Sequence, residues 1–93
     1  MKIVFLPSTK AGLRWFHKYY TEVFADGKKK ADRQFQLMKL VLLTTPEAGR
    51  AIESKNCRIY AIPRTPFSVI YRVVADRVEI MYIHDQRSGT TPR

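Results

Sequence analysis

The chain has 93 residues, of which 45% are hydrophobic and 27% are charged, and its 17 Lys and Arg outnumber 8 Asp and Glu. This length allows one small domain, and no apolar run is long enough to cross a membrane. The single cysteine, Cys57, excludes an internal disulfide framework. We therefore predict one domain over residues 1–93, without a signal peptide and in the cytoplasm, where thiols stay reduced.

The net charge of +9 is the strongest compositional signal. A positive field of this size attracts nucleic acid or an acidic protein. The alternative is that the charge serves solubility alone, although a smaller charge would suffice for that. Charge by itself does not distinguish the two kinds of partner.

The N-terminal part of the sequence predicts a strand and then an unusually aromatic helix. Residues 2–6 are a short apolar run that Pro7 ends, and Ser8 fits the N-cap of the helix that follows. Apolar residues recur at helical spacing along the side that we assign to the core: Leu13, Phe16, Tyr20 and Phe24. A second apolar band, which we call the spare band, runs beside them: Trp15, Tyr19 and Val23. One neighbouring surface does not need both bands, so the second is a candidate for a partner.

A second helix is predicted to begin near Asp26-Gly27 and to end at Thr44-Thr45-Pro46. Its core stripe is formed by Ala31, Phe35, Met38 and Leu42 and is widened by Leu37 and Val41. The run Lys28-Lys29-Lys30 lies in its first turn, where the helix dipole disfavours positive charge by about 0.3–1 kcal/mol. These lysines form either a solvated face or a contact for an anionic partner.

The second half of the sequence predicts a loop and three strands. Residues 46–56 are a loop punctuated by Pro46, Gly49 and Asn56, and strands follow at residues 57–62, 67–74 and 77–84. The serial order is therefore β-α-α-β-β-β. We predict an α+β domain in which a helical hairpin packs on one face of a small, mainly antiparallel sheet.

The last two strands carry apolar residues on both faces of a predicted hairpin. A two-residue turn at Ala75-Asp76 pairs Tyr71 with Ile80 and Val69 with Tyr82. One face then covers the core: Phe67, Val69, Tyr71, Val73, Val78, Ile80 and Tyr82. The other face has no helix left to cover it: Ser68, Ile70, Arg72, Glu79, Met81 and Ile83. Its apolar members are an interaction surface or, alternatively, scattered surface residues.

The order β-α-α-β-β-β in a small basic chain resembles the RelE/ParE superfamily of bacterial type II toxins. The segment RIYAIPRTPFSVIYRVVADRVEIMYIHDQRSG, residues 58–89, is similar to the C-terminal half of that family. There a Y-R-V strand precedes a strand of the form V-x-I-x-x-I/V-x-H-x-x-R. The matching residues here form two groups: Tyr71-Arg72-Val73, and then Val78, Ile80, Ile83, His84 and Arg87.

The resemblance implies a cytoplasmic toxin that a cognate antitoxin neutralises, with a possible higher-order toxin–antitoxin assembly. RelE-like members are ribosome-dependent mRNA endonucleases that use Lys, Arg and a late Tyr without a metal. Their two lysine positions fall here on Ile59 and Ala61, their arginine falls on Ser68, and the terminal Tyr is missing. Because most catalytic groups are absent, the resemblance favours the ParE-like branch, whose members bind DNA gyrase.

We therefore expect no catalytic residue, no metal site and no cofactor. The residues predicted to contact the target are Arg64, Arg72, Arg87 and Arg93. The residues predicted to contact the antitoxin are Trp15, Tyr19, Val23, Ile70, Met81 and Ile83. In the alternative, a RelE-like ribonuclease acting on ribosome and mRNA, the rearranged site would use His84, Arg87, Arg64 and Arg58. A third possibility is a non-toxic relative that only binds partners. Residues 88–93 are predicted to be a flexible tail.

Overall fold

The computed structural model describes residues 1–53 and 56–88. Its regular elements in chain order are β1 Lys2–Phe5, α1 Lys10–Lys18, α2 Lys28–Thr44, β2 Arg50–Ala51, β3 Arg58–Ala61, β4 Phe67–Val74 and β5 Arg77–Asp85. The predicted α+β class and the order of its main elements are confirmed. Of the predicted tail, residues 89–93 lie outside the described residues, and Gln86–Ser88 is a 3₁₀ turn.

All five strands belong to one sheet in the order β1-β5-β4-β3-β2. β1 pairs in parallel with β5, and the other neighbours are antiparallel, so the sheet is mainly antiparallel as predicted. β2 falls inside the segment predicted to be a loop. It has two residues, too few to produce an alternating pattern that could be read from sequence.

Both helices cover the same face of the sheet and form one hydrophobic core with it. The ring of Phe16 from α1 lies 5.2 Å from that of Phe35 of α2 and 4.9 Å from that of Phe67 of β4. α1 reaches β5 closely because residue 12 is glycine: a Cβ atom there would lie 2.2 Å from the carbonyl oxygen of Ile83. Any larger residue at position 12 would push α1 off the sheet.

The chain enters α1 differently from the prediction. Ser8 lies in a 3₁₀ turn, Pro7–Thr9, and Thr9 is the residue that precedes α1. The Ser8 hydroxyl donates instead to the carbonyl oxygen of Met81, at 2.5 Å. The prediction of Ser8 as a helix cap was wrong, because its hydroxyl donates to a strand residue 73 positions further along the chain instead of to the backbone of α1.

A π-helical turn, Tyr19–Val23, follows α1 and changes which residues face the core. Tyr19, predicted to be in the spare band, is 8% exposed and belongs to the core. Phe24, predicted to be in the core stripe, is half exposed. The wider turn breaks the 3.6-residue period on which both predictions depended.

The β4–β5 hairpin keeps the predicted register only on the turn side of a bulge. From the turn at Ala75-Asp76 back to the pair Tyr71–Ile80, the partners are those predicted. Beyond that pair the register shifts by one residue, so Ile70 lies opposite Tyr82 and Met81 is the extra residue. An inserted residue of this kind is a β-bulge, and it exchanges the faces of the residues that follow it.

The bulge corrects three predictions. Ile83, predicted on the outer face, points towards the helices and is 7% exposed. Tyr82, predicted in the core, is 52% exposed. His84, which the predicted alternation from Tyr82 would place on the core side, lies opposite Ser68 on the outer face. The apolar run around Met81 contains no glycine or other residue that would have indicated a bulge.

Candidate functional site

We call the sheet face away from the helices the open face. It carries alternate residues of β1, β3, β4 and β5: Val4, Ile59, Ala61, Ser68, Ile70, Arg72, Glu79, Tyr82 and His84. Ile70 lies on this face as predicted, yet it is only 3% exposed, since Ile59 and Tyr82 flank it on the neighbouring strands. Met81 is half-buried at the bulge, and Ile83 faces the core. The prediction of an exposed patch made of Ile70, Met81 and Ile83 was therefore wrong.

A buried carboxylate holds two arginines at one end of the open face. Arg72 Nε donates to Oε1 of Glu79 at 2.7 Å, and Arg77 Nε donates to Oε2 at 2.8 Å. The hydrogen bonds from Arg72 and then Arg77 lower the pKa of Glu79, although desolvation opposes them. Arg72, predicted to contact the target, is therefore an exposed cation held in one orientation.

Two polar side chains meet at the other end of the open face. Ser68 of β4 lies opposite His84 of β5 and is completely buried. Within the described residues, neither Ser68 Oγ nor His84 Nε2 has a hydrogen-bond partner. Both atoms therefore keep unused hydrogen-bonding capacity.

We call the sheet face that the helices cover the helical side. It carries a cluster around the carboxylate of Asp85 at the end of β5. Trp15 Nε1 donates to Oδ2 at 2.8 Å, and Arg87 donates from its side chain to both oxygens and from its backbone N–H to Oδ1. Arg87 also lies over the ring of Tyr19, 4.2 Å from its centroid, and donates to the Tyr19 hydroxyl. Trp15, Tyr19, Asp85 and Arg87 are the Asp85 cluster.

Asp85 is the group of this cluster with a strongly displaced pKa. The hydrogen bond from the Arg87 side chain lowers the pKa of Asp85 most, and hydrogen bonds from Trp15 and the Arg87 backbone add to it. Desolvation opposes them, and the pKa falls from 3.8 to about 2. The carboxylate is therefore ionised at neutral pH and holds Arg87 against α1.

The structure does not bring the four residues of the alternative catalytic site together. His84 lies on the open face, whereas Arg87 contacts Tyr19 on the helical side. Arg58 is occupied by the segment before β2: its Nη1 donates to the carbonyl oxygen of Gly49 at 2.7 Å. Arg64 is exposed in the turn between β3 and β4 with a positive φ of 63°, an unusual backbone for arginine. Arg93, which was predicted to contact the target, lies outside the described residues.

Two residues of the predicted antitoxin surface remain exposed on the helical side. Trp15 is 37% exposed and Val23 58% exposed, as the spare band predicts. Sequence reasoning missed other large exposed apolar residues: Phe24, Leu37, Leu40 and Tyr82. Leu40 lies outside the α2 core stripe, a signal that could have identified it.

In the part of the chain that the structure describes, no group of three or more His, Cys, Asp or Glu side chains is arranged to hold a metal ion. The helices of that part are too short or too polar to cross a membrane.

The fold is similar to that of a solved structure. A chain of the structure described as "Chromosomal ParDE TA system from P. aeruginosa" matches with a TM-score of 0.70 and 23% sequence identity. The match covers 91% of this chain and 95% of that chain. No protein-family model matches this chain, and no curated protein matches its sequence. At this identity the likeness establishes the fold, and the fold expected from the resemblance to RelE/ParE toxins is confirmed.

Proposed function

We propose that the chain is the toxin of a bacterial type II toxin–antitoxin system, of the ParE type, and that it inhibits DNA gyrase by binding it in the cytoplasm. The fold is the observation that carries this proposal: a two-helix layer on a five-stranded mixed sheet matches a ParDE chain over 91% of this chain. A net charge of +9 suits a target that is itself bound to DNA.

The residues of the open face favour binding over RNA cleavage. Ile59, Ala61 and Ser68 stand where the resemblance places the cations of RelE-like enzymes, and all three lie on this face. None of them can stabilise the charge that develops on a phosphate under attack. Since general acid–base catalysis typically contributes about 10²–10⁴-fold, a site without these groups is a poor ribonuclease.

The antitoxin is proposed to cover the exposed apolar residues at the α1 side. Trp15 and Val23 are the predicted members, and Phe24 extends the surface beyond the π-helical turn. β1 is an edge strand of the described sheet, so an antitoxin segment could also add a strand beside it. Burial makes Ile70 and Ile83 unsuitable as contacts in this arrangement.

The target contacts are proposed to be exposed arginines. Arg72 is held by Glu79 on the open face, Arg64 lies in a strained turn, and Arg87 is held by Asp85 beside α1. Arg93 remains a candidate that lies outside the described residues. Arginines held in place lose less side-chain entropy on binding than freely rotating ones.

Purified protein and DNA gyrase test the proposal directly. We expect the protein to inhibit supercoiling of a relaxed plasmid and to leave gyrase-linked broken DNA, and the cognate antitoxin to restore activity. Arg64→Gln and Arg72→Gln should each weaken inhibition, whereas Arg50→Gln, an exposed arginine outside the proposed contacts, should not. Normal supercoiling at a large excess of folded protein would contradict the gyrase proposal.

The same purified protein also tests the two alternative functions, a ribosome-dependent ribonuclease and a non-toxic binding protein. Translating ribosomes are incubated with the protein, and the mRNA is mapped for cleavage at the A site. Cleavage that His84→Ala abolishes would establish the ribonuclease instead. Unimpaired growth of cells that express the chain without antitoxin, together with intact mRNA and active gyrase, would identify a non-toxic binding protein.

A further inference from the structure

The outer side of α1 carries a column of cations. Lys10, Arg14 and Lys18 follow one another at four-residue intervals and are all exposed. That spacing places them on one side of the helix, over about 12 Å of its length. None of the three is in a salt bridge within the described residues.

α2 carries a second group of exposed cations in the same helical layer. Lys29, Lys30 and Arg33 together line a surface depression of about 210 Å³. Lys28 is paired with Asp32 at 3.0 Å, but its three neighbours have no such partner among the described residues. Residues 10–44 contain eight Lys and Arg against three Asp and Glu. We call one set of six of these residues the helical cation surface: Lys10, Arg14, Lys18, Lys29, Lys30 and Arg33.

Helix stability accounts for Lys18, which lies in the last turn of α1 where the helix dipole favours cations, but not for the rest of this arrangement. The first turn of each helix lacks an acidic residue, although acids are favoured there by the helix dipole. Like charges at four-residue intervals, such as Lys10 and Arg14 or Lys29 and Arg33, destabilise a helix by a few tenths of a kcal/mol per pair. A function that needs positive charge on this surface explains what helix stability does not.

We propose that the helical cation surface binds the phosphate backbone of duplex DNA without sequence preference. Duplex DNA carries about seven phosphate charges, both strands counted, over the 12 Å that the column spans, so each of its three cations can reach a phosphate. Single strands are held mainly by stacking on aromatic rings, and none of the six residues of the helical cation surface is aromatic. The proposal goes beyond gyrase inhibition and is tested without gyrase.

An acidic protein is the competing partner for the same charges. Protein interfaces have an apolar or aromatic centre, whereas the depression on α2 is lined by Lys29, Lys30 and Arg33. Leu37 and Leu40 are exposed further along α2, beyond Arg33, and a protein partner would use them. Duplex DNA requires only the cations. A variant that replaces the two leucines therefore distinguishes binding of DNA from binding of an acidic protein.

The test is fluorescence anisotropy with a labelled 20-base-pair duplex and the full chain at several salt concentrations. We expect a dissociation constant of about 10⁻⁶–10⁻⁴ M near physiological salt, which weakens steeply as salt rises. The pairs Arg14→Gln/Lys18→Gln and Lys29→Gln/Arg33→Gln should each reduce the salt slope by about 1.8, because each phosphate that is no longer neutralised lowers the slope by about 0.9.

Matched controls make the result decisive. Lys2→Gln/Arg50→Gln also removes one exposed Lys and one exposed Arg, but from the sheet, and should leave the slope unchanged. Leu37→Ser/Leu40→Ser should bind the duplex normally. The proposal is wrong if the sheet control weakens binding as much as the helix pairs do, if a poly-glutamate peptide or single-stranded DNA binds more tightly than the duplex, or if folded protein does not bind the duplex.

Discussion

At the scale of single residues, Asp85 links the end of the sheet to α1. Its carboxylate accepts hydrogen bonds from Trp15 and from both the side chain and the backbone of Arg87. The folded pKa of about 2 lies below the ordinary value of 3.8. The carboxylate therefore stabilises the fold above about pH 4, and this contribution is lost as the pH falls towards 2.

Asp85→Asn should lower the free energy of unfolding at pH 7 by about 1–2 kcal/mol, because the charged hydrogen bonds weaken. The difference from the unmodified chain should shrink between pH 4 and pH 2. Thermal unfolding followed by circular dichroism measures both. Glu22→Gln removes an exposed carboxylate of the π-helical turn and is the control. An Asp85→Asn difference that is the same at pH 7 and pH 2 would contradict the assignment.

Ala75 stores backbone strain in the turn between β4 and β5. Its φ is 55°, in the left-handed region that non-glycine residues adopt at a cost of about 1–2 kcal/mol. Asparagine tolerates this region better, so Ala75→Asn should raise the melting temperature by several degrees. Ala75→Val, which is β-branched, should lower it. If the two variants melt alike, the turn is not strained at this position.

At the scale of elements, Tyr71 fixes the position of β2. Its hydroxyl donates to the carbonyl oxygen of Pro46 at 2.6 Å and accepts from the backbone N–H of Gly49 at 2.9 Å. Burial raises the pKa of Tyr71, so the hydroxyl stays protonated and can donate. A glycine is required at position 49, because a Cβ there would lie 2.8 Å from the Tyr71 hydroxyl.

Tyr71→Phe leaves a buried donor and acceptor unpaired and should lower the free energy of unfolding by about 1–3 kcal/mol. The amide proton of Gly49 should exchange with solvent much faster, which NMR measures directly. Tyr60→Phe, in the neighbouring strand β3, is the matched control. Unchanged exchange at Gly49 would mean that β2 is held by other contacts.

The β4–β5 hairpin separates what sequence can and cannot predict. A turn at Ala75-Asp76 and alternating side chains suffice for the register up to the pair Tyr71–Ile80, and the structure confirms it. At the bulge, the carbonyl oxygen of Met81 accepts a hydrogen bond from Ser8, a residue 73 positions away. The local sequence pattern carries no trace of such a contact, so the face assignments of β5 beyond the bulge were inverted, whereas those of β4 are confirmed.

The same limit applies to the Asp85 cluster. The exposure of Trp15 follows from helical spacing and was predicted, and Arg87 was identified from the family pattern. Their shared carboxylate was not, since Trp15 and Asp85 are separated by 70 residues. Individual side chains could be selected from sequence, whereas the contact that joins them required the fold.

Deletion of the bulge residue tests this account of the hairpin. Without Met81, the pairs Ile70–Tyr82 and Val69–Ile83 can continue from Tyr71–Ile80 with every side chain on its present face. The variant should therefore fold and melt cooperatively. Deletion of Ser68 from the regular part of β4 should not, because it moves a core side chain to the open face. If the chain without Ser68 folds and the chain without Met81 does not, the assignment of the bulge to Met81 is wrong.

At the scale of the whole molecule, the net charge of +9 opposes the compact state through self-repulsion. Salt screens exposed charges, with a Debye length that falls from about 10 Å at 0.1 M to about 3 Å at 1 M. We expect the melting temperature to rise as sodium chloride increases from about 20 to about 200 mM. A melting temperature that is insensitive to salt would show that the cations are too far apart to repel one another.

Stability and the proposed DNA binding place opposite demands on the first turn of α2. Lys29→Glu puts an acid at the positive end of the helix dipole and four residues before Arg33. These effects should stabilise the fold by about 0.3–1 kcal/mol at low salt, and less at high salt. The same variant should bind duplex DNA more weakly. Lys2→Glu, on β1, makes the same change of charge away from a helix end, so an equal gain in melting temperature from both variants would attribute the effect to net charge rather than to α2.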